Sequence, residues 1–245
     1  MAGISSRTAA GYGGNIRAWT PRALGATCKL WLRPEAPFVT LNATDLASWN
    51  DQSGSGNDFA QGVGASQPAY NATDPDFNGH PSVQFRGTDD YLTRAQLGWL
   101  TLHLFWVGKN DADPQPGNPA DSGSPFTWCA DGSPEHFPLN DGNCYFGPGS
   151  SVRKSCGSPT ENLASAARRI EVVSAAGLFS LTVGAETVHT TAVNTVGWAF
   201  NGIGGQPPKT YFWPGRLAEI IACDTELTGS ALADVRAYLD GKYAL

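Results

Sequence analysis

The acidic residues of this chain are its first candidates for catalysis. Glycoside hydrolysis needs two carboxyl groups that face one cleft, and one arrangement takes them from alternating positions of a single strand, as Glu-x-Asp-x-x-Glu. The sequence contains no such run. Glu219 is alone in its apolar stretch, and Glu171 has no acidic residue two or three positions away. Asp89 and Asp90 are adjacent, so extended backbone would point them to opposite faces. We therefore expect that the chain is not an enzyme.

Signatures of other catalytic classes are missing as well. The sequence has no Gly-x-Ser-x-Gly elbow, no His-Glu-x-x-His pair and no phosphate-binding loop. The four histidines, His80, His103, His136 and His189, are scattered. His103 lies among apolar residues, which favours a hydrogen-bonded packing role over that of a base.

The run 74–79 (DPDFNG) begins like a calcium-binding loop. Oxygen-bearing side chains stand at its first, third and fifth positions and glycine stands at the sixth, but the twelfth position is Phe85 instead of a bidentate glutamate. We interpret the run as a turn and expect no metal or cofactor. Loop oxygens elsewhere, such as those of Asp111 and Asp113, leave calcium as the one ion to consider.

The cysteines number five and form no CxxC pair. We predict buried or incidental thiols, because an odd number without metal-site spacing indicates no framework. Cys129, Cys144 and Cys156 lie in one loop-rich region, so two of them could be close, and their disulfide status stays open.

A sugar-binding site needs an aromatic platform beside amide or carboxylate groups. The loop-rich region between residues 128 and 141 supplies both kinds of side chain. Our candidate glycan-binding residues are Trp128, Asp131, His136, Asn140 and Asp141. Such loops serve contacts with neighbouring subunits as readily as contacts with sugars, and that alternative stays open.

The segment 1–27 differs from the rest of the chain in charge. It carries three arginines and no acidic residue, so the net charge of −6 leaves −9 for the remainder. Glycines keep it flexible, and its apolar side chains could anchor it. We predict an N-terminal docking arm that uses Ile4, Arg7, Tyr12, Ile16, Arg17, Trp19 and Arg22. The alternative is a frayed terminus without a role.

Apolar runs and alternating residues predict strands at 28–32, 83–85, 91–92, 125–130, 168–174, 179–183, 186–191 and 198–203. The strongest run is Leu100–Val107, which is apolar on both faces and is therefore expected to be central or covered. Tyr211–Ala222 predicts a last strand, and one helix follows. That helix has Thr228 as its predicted cap, and Leu232, Val235 and Leu239 form its apolar stripe.

Composition excludes several classes of partner. Charged residues make up 16% of the chain, below the roughly 25% of a typical soluble domain, and Trp numbers 8. Low charge with many aromatic residues favours a homo-oligomer, although a neutral, Gly-rich β protein fits equally well. The net charge of −6 argues against nucleic-acid binding. No apolar run approaches the roughly 18 residues that cross a membrane, and no leader is visible, so we expect synthesis in the cytoplasm.

Several motifs in order resemble a known family. They are residues 49–54 (WNDQSG), 67–68 (QP), 78–87 (NGHPSVQFRG), 90–92 (DYL), 136–153, 211–221 (YFWPGRLAEII) and 238–243 (YLDGKY). The first four resemble the opening of concanavalin A-like, laminin-G-type jelly-roll domains. The others are similar to the middle, last strand and closing helix of such domains on bacteriophage structural proteins. Because this fold hosts lectins, glycosidases and virion decorations alike, the resemblance bears on fold more than on function.

The sequence therefore predicts an all-β protein, an antiparallel β-sandwich of the concanavalin A-like jelly-roll type, with one C-terminal helix. Residues 1–27 are the predicted arm and 28–245 the predicted domain. The resemblance implies a bacteriophage virion protein, either a head decoration or a tail or fibre component, that docks on capsid or tail proteins. The alternative is a lectin-like module that recognises host surface glycans.

Overall fold

The computed structural model describes residues 19–111, 126–128, 142–146, 154–194, 198–205 and 212–245. The described part contains the following strands and one α-helix: β1 (Cys28–Leu32), β2 (Val39–Asn42), β3 (Asp45–Trp49), β4 (Phe59–Ala60), β5 (Ala69–Asn71), β6 (Ser82–Arg86), β7 (Leu92–Trp99), β8 (Leu102–Asn110), β9 (Phe126–Trp128), β10 (Cys144–Phe146), β11 (Lys154–Gly157), β12 (Arg168–Ala175), β13 (Leu178–Val183), β14 (Glu186–Thr191), β15 (Trp198–Ile203), β16 (Pro214–Cys223) and α1 (Gly229–Tyr243). Three short 3₁₀ turns lie at Pro21–Thr27, Gly64–Ser66 and Pro75–Phe77. No helix in these ranges is long and apolar enough to span a membrane.

The strands form one antiparallel sheet that folds over into a sandwich. Its hydrogen-bonded order is β14-β13-β12-β8-β16-β6-β5-β3-β4-β7-β15-β9, with β1 added to β16 and β2 added to β3. β16 pairs with β8 on one side, and on its other side with β6 at its start and β1 at its end. β10 and β11 form a separate hairpin. The predicted antiparallel β-sandwich is confirmed.

Strand β8 explains why the molecule has two cores. Leu104 and Trp106 on one face belong to the sandwich core, together with Trp49 and Phe59 from the opposite layer. Phe105 on the other face belongs to a second core, under the helix. The run that is apolar on both faces is therefore covered twice, as expected, and the second cover comes from the same chain.

Helix α1 lies on the outer face of the β8 and β16 layer. Val235, Leu239 and Tyr243 are its buried residues, and they pack in the same core as Ile221 of β16. The predicted helix and its stripe are thus confirmed. Thr228 occupies the N-cap position in extended conformation, but its side chain makes no capping hydrogen bond.

Two glycines of the matched motifs are needed by the backbone. Gly87 has φ +75°, and a Cβ there would lie 2.9 Å from the Cβ of Pro214. At Gly215 a Cβ would lie 2.3 Å from the Trp213 ring. Phe85 and Leu92 are fully buried in the sandwich core. These motif residues therefore serve the packing of the sandwich.

Candidate functional site

Of the predicted arm residues, the structure describes two. Trp19 packs on the helix, with its ring centroid 5.6 Å from that of Tyr238, and Arg22 is exposed. Ile4, Arg7, Tyr12, Ile16 and Arg17 lie outside the described residues. Trp19, predicted to dock on a partner, packs on this chain's own helix, and the docking role of the arm stays a prediction.

The predicted glycan-binding residues are described in one case only. Trp128 lies in β9, and its backbone pairs with Phe200 of β15. Asp131, His136, Asn140 and Asp141 lie outside the described residues, so their clustering stays a prediction. Cys144 and Cys156 lie on the paired strands β10 and β11, and both are buried in the sandwich core. Cys129 lies outside the described residues.

The run that begins like a calcium loop forms a turn, as predicted. Asp74 caps the 3₁₀ turn Pro75–Phe77, since its Oδ1 accepts from the Asp76 backbone amide at 3.0 Å. The Arg216 guanidinium bonds both oxygens of Asp74 at 3.0 Å, Asp76 at 2.6 Å and Asp111 at 2.9 Å. A hydrogen bond from Lys109 lowers the pKa of Asp76. Arginine and lysine thus neutralise these carboxylates, and within the described ranges no cluster of three His, Cys, Asp or Glu residues could hold a metal.

Glu171 sits in a second polar cluster, between the sheet and the helix. It accepts from His103 Nε2 at 3.0 Å and from Arg236 at 2.8 and 2.9 Å. His103 Nδ1 accepts the Leu227 backbone N–H at 3.0 Å, so the ring proton lies on Nε2. Burial acts to raise the pKa of Glu171, but the bonds from His103 and Arg236 outweigh it and lower the pKa to about 2. His103 is a hydrogen-bonded packing residue, as predicted.

Glu219 of β16 is fully buried under the helix and accepts four hydrogen bonds. Its Oε1 accepts from Trp31 Nε1 at 2.5 Å and from the Tyr238 hydroxyl at 2.9 Å. Its Oε2 accepts from Lys242 Nζ at 2.7 Å and from the Tyr243 hydroxyl at 2.8 Å. Burial, followed by the charge of Glu219, raises the pKa of both tyrosines. The strand supplies the acid and the helix supplies three of its four donors.

A second carboxylate lies close to Glu219. Lys242 Nζ is 2.6 Å from Glu35 Oε1 and 2.7 Å from Glu219 Oε2, so those two oxygens are at most about 5.3 Å apart. Retaining glycosidases hold their two carboxyl groups roughly 5 to 5.5 Å apart, and about 5.3 Å is the upper bound for this pair. Here the ammonium group contacts both acids, and Glu219 is closed to solvent. The pair is an ion-pair network in which a loop residue and a strand residue converge.

An open groove lies at the C-terminal end of the helix, beside the turn between β13 and β14. Its volume is about 300 Å³, at the lower end of the usual range for small-molecule sites. Its charged lining residues are Arg168 and Arg169 of β12, Glu161 before that strand, and Asp240 of α1. Ala167 and Ala185 add apolar surface. We refer to this surface as the Arg168 groove.

The charged side chains that line the Arg168 groove are paired, and these four charges sum to zero. Arg168 contacts Glu161, and Arg169 Nε lies 2.8 Å from Asp240 Oδ1. Arg169 is 8% exposed and fixed by further bonds to Glu171 and the Gly184 carbonyl. The side chains of Arg168, Glu161 and Asp240 are 25%, 47% and 38% exposed. Three charged groups of both signs therefore meet solvent at one concave surface.

Sequence reasoning did not find this groove. Its members come from three separate parts of the chain, and Arg169 is 71 residues from Asp240. The available signal was the Arg168–Arg169 pair at the start of an otherwise apolar strand. Because neighbouring side chains of a strand point to opposite faces, one of the two had to enter a covered face and find an acid there.

Comparisons with known proteins identify the fold and no family. No family model matches the chain, and no curated protein matches its sequence. A sialidase from Trypanosoma rangeli shares 11% identity, with a TM-score of 0.55 over 87% of this chain and 33% of that one. An arabinofuranosidase shares 10% identity, with a TM-score of 0.55 over 81% of this chain and 51% of that one. The binding domain of Paraclostridial Mosquitocidal Protein 1 shares 10% identity, with a TM-score of 0.55 over 91% of this chain and 53% of that one.

These structures carry β-sandwiches of the lectin and glycosidase type, which supports the coarser part of the resemblance. None of the three is described as a bacteriophage protein. This chain spans between about a third and about half of their lengths.

The expectation that this chain is not an enzyme was wrong. Two of the similar structures come from glycosidases, so the fold occurs in proteins that cleave glycans. That expectation required both catalytic carboxylates to lie on one strand, and the fold does not impose this requirement. Glu35 and Glu219 show that this fold brings a loop carboxylate and a strand carboxylate within about 5.3 Å of each other. A missing strand motif therefore does not exclude catalysis.

Proposed function

We propose that this chain is a carbohydrate-binding β-sandwich module and that the Arg168 groove is its binding site. The observation that carries the proposal is the composition of the groove, in which exposed hydrogen-bonding groups of both signs surround a concavity of about 300 Å³ without net charge. A surface of this kind suits a neutral ligand with many hydroxyl groups better than a free ion.

The chemistry of the lining matches the chemistry of a sugar. Each hydroxyl group both donates and accepts a hydrogen bond. The carboxylates of Glu161 and Asp240 accept, and the guanidinium of Arg168 donates. Ala185 and Leu245, which are both exposed, offer apolar surface for the C–H groups of a ring. Arg169 is held on both sides by its own acids, so it positions Asp240 and leaves Arg168 and Glu161 as the adaptable pair.

The similar structures support this class of ligand. The sialidase structure is a complex with 2,3-difluoro-KDN, the arabinofuranosidase structure is a complex with arabinofuranosyl-alpha-1,2-xylobiose, and the toxin structure is that of a binding domain. The identities of 10 to 11% carry the fold only, so the proposal depends on the groove.

The test uses the full chain and a panel of neutral and sialylated oligosaccharides, with binding followed by titration calorimetry. We expect saturable binding to at least one glycan. Arg168→Ala and Glu161→Gln should each weaken it by about tenfold or more, which corresponds to one or two lost hydrogen bonds. Glu226→Gln is the matched control, because Glu226 is exposed and does not line the groove.

Two results would refute the proposal. One is the absence of saturable binding across the panel by the folded protein. The other is binding that neither groove variant weakens, which would move the site to another surface, such as the predicted set around Trp128. The same samples should be assayed for released reducing ends, because reducing ends released from the panel would assign hydrolysis to the chain.

A second candidate is a bacteriophage virion protein that docks on capsid or tail proteins through residues 1–27. The motifs quoted above support it, and Trp19 contacts Tyr238 of the helix. Deletion of residues 1–18 keeps that contact and should give a folded protein that no longer incorporates into particles. Normal incorporation of the truncated protein would contradict the arm's role. Sedimentation of the full chain tests the predicted homo-oligomer.

A further inference from the structure

Two cysteines far apart in the sequence face each other across a pair of strands. Cys28 opens β1, Cys223 closes β16, and the two residues are partners in the antiparallel register. Both belong to the core under the helix, so their side chains lie on the same face of the sheet. Cys28 is 2% exposed and Cys223 is fully buried.

The backbone hydrogen bonds show which kind of pair this is. The Asp224 amide donates to the Thr27 carbonyl at 3.2 Å, so the bond lies between the residue after Cys223 and the residue before Cys28. A bond in that position flanks a non-hydrogen-bonded pair, in which a regular ladder holds the Cα atoms about 4.5 Å apart and the side chains close together. On the other side of the pair the register shifts between Cys28 and Leu30, so only the Thr27–Asp224 side of the pair is regular. Disulfides need Cα atoms about 4.4 to 6.8 Å apart.

The two thiols also interact directly. The hydrogen bond with the Cys28 thiol, followed by burial, raises the pKa of Cys223. Cys28 Sγ in turn donates to the Leu30 carbonyl at 3.6 Å. Both thiols are therefore shielded from solvent oxidants while the sheet is closed, and the raised pKa of Cys223 slows its reaction. The strand register nevertheless places the two sulfurs to react with each other once an oxidant reaches Cys28.

We propose that Cys28 and Cys223 form a reversible cross-strand disulfide in the presence of a disulfide oxidant such as oxidised glutathione. The Cys28 thiol loses its proton, and its sulfur attacks oxidised glutathione, which releases one glutathione thiolate and leaves a mixed disulfide. The deprotonated Cys223 sulfur then attacks the Cys28 sulfur and releases the second glutathione. The protein loses two protons and two electrons, and oxidised glutathione takes up the electrons.

The bond would have a definite mechanical effect. In the part of the chain that the structure describes, β1 is paired only with β16. A disulfide at Cys28 ties the first strand to the last. It also closes a loop of nearly the whole domain, which is the arrangement expected to restrict the unfolded chain most.

The experiment compares reduced and oxidised protein. The full chain is refolded in glutathione buffers of increasing oxidised fraction, quenched by alkylation, and analysed by intact mass and non-reducing peptide mapping. We expect a peptide containing Cys28 joined to one containing Cys223. The midpoint of thermal unfolding should rise by about 5 °C or more on oxidation. The rise should vanish in Cys28→Ala and in Cys223→Ala.

A variant that lacks the other three cysteines, C129A/C144A/C156A, isolates the pair. If it folds, its two thiols should disappear together. If it does not fold, peptide mapping of the unaltered chain still decides the question. The proposal is overturned if Cys28 and Cys223 remain fully alkylatable after refolding with excess oxidised glutathione, or if either one is found joined to a different cysteine.

Discussion

Replacing Glu219 by glutamine is the most informative single change in this protein. The substitution keeps the shape of the side chain and removes its charge. In the native protein Oε1 accepts hydrogen bonds from Trp31 and Tyr238, and Oε2 accepts hydrogen bonds from Lys242 and Tyr243. Glutamine has one acceptor oxygen and one donor group, so in either orientation its NH₂ group faces two donors.

The expected cost follows from those contacts. A buried donor without an acceptor costs about 1 to 3 kcal/mol, and at least one donor is orphaned even if a tyrosine hydroxyl rotates to accept. Lys242 also loses its buried counter-charge and keeps only Glu35, which is half-buried. Breaking a buried ion pair on one side typically costs about 3 to 5 kcal/mol. We therefore expect Glu219→Gln to lower the free energy of unfolding by about 3 to 5 kcal/mol.

Urea unfolding followed by tryptophan fluorescence measures this difference. Glu226→Gln is the control, and as an exposed substitution it should change stability by about 0.5 kcal/mol or less. Adding Lys242→Met to Glu219→Gln removes the unpaired ammonium group and should recover about 1 kcal/mol or more. A loss below about 1 kcal/mol for Glu219→Gln, or a double variant less stable than the single one, would refute the assignment of Glu219 as the centre of this network.

Three further changes test other parts of the structure. Leu239→Ala should lower the free energy of unfolding by about 2 to 5 kcal/mol in urea, because Leu239 is fully buried between the helix and the sheet. The pKa of Glu171 is lowered from 4.5 to about 2, so its stabilisation is complete above about pH 4.5 and is lost as the pH falls toward 2. It amounts to about 3 kcal/mol at most, and Glu171→Gln should flatten the stability profile between pH 2.5 and 5 relative to Glu226→Gln. Arg216→Gln leaves Asp74 buried without its cation and should cost about 2 to 4 kcal/mol, whereas Arg22→Gln, at an exposed position, should change the denaturation midpoint little.

The sequence predicted the long strands and the helix because their patterns are strong and local. The strands β8 and β12 to β14 and the last strand β16 appear within a few residues of the predicted runs. The strands β2 to β5 were not predicted. β4 contains two residues, Phe59 and Ala60, which is too short for any period to show, and Val39–Asn42 is largely exposed. β2 pairs with β3, and β4 pairs with both β3 and β7. The sequence does not display these pairings.

The partners within the polar clusters lie far apart in the sequence, so local patterns could not predict these contacts. Trp31 and Glu219 are separated by 188 residues, and His103 and Glu171 by 68. The residue types gave part of the answer all the same. A lone glutamate within an apolar strand has to find cations or donors when that strand is covered. The closing helix offers them at Tyr238, Lys242 and Tyr243, on the side that carries Leu239.

A sequence motif within one strand is a poor indicator of catalysis in this fold. A strand motif asks whether two acids alternate along one segment, but a sandwich also converges side chains from loops, strand ends and the helix. Glu35 and Glu219 meet through Lys242, and Glu161 and Asp240 share one groove although they stand 79 positions apart in the chain. Carboxylates in such a fold have to be paired in space before chemistry can be assigned or excluded. These two pairs differ in the property that matters for a ligand, because Lys242 lies between the first two acids and solvent reaches the second pair.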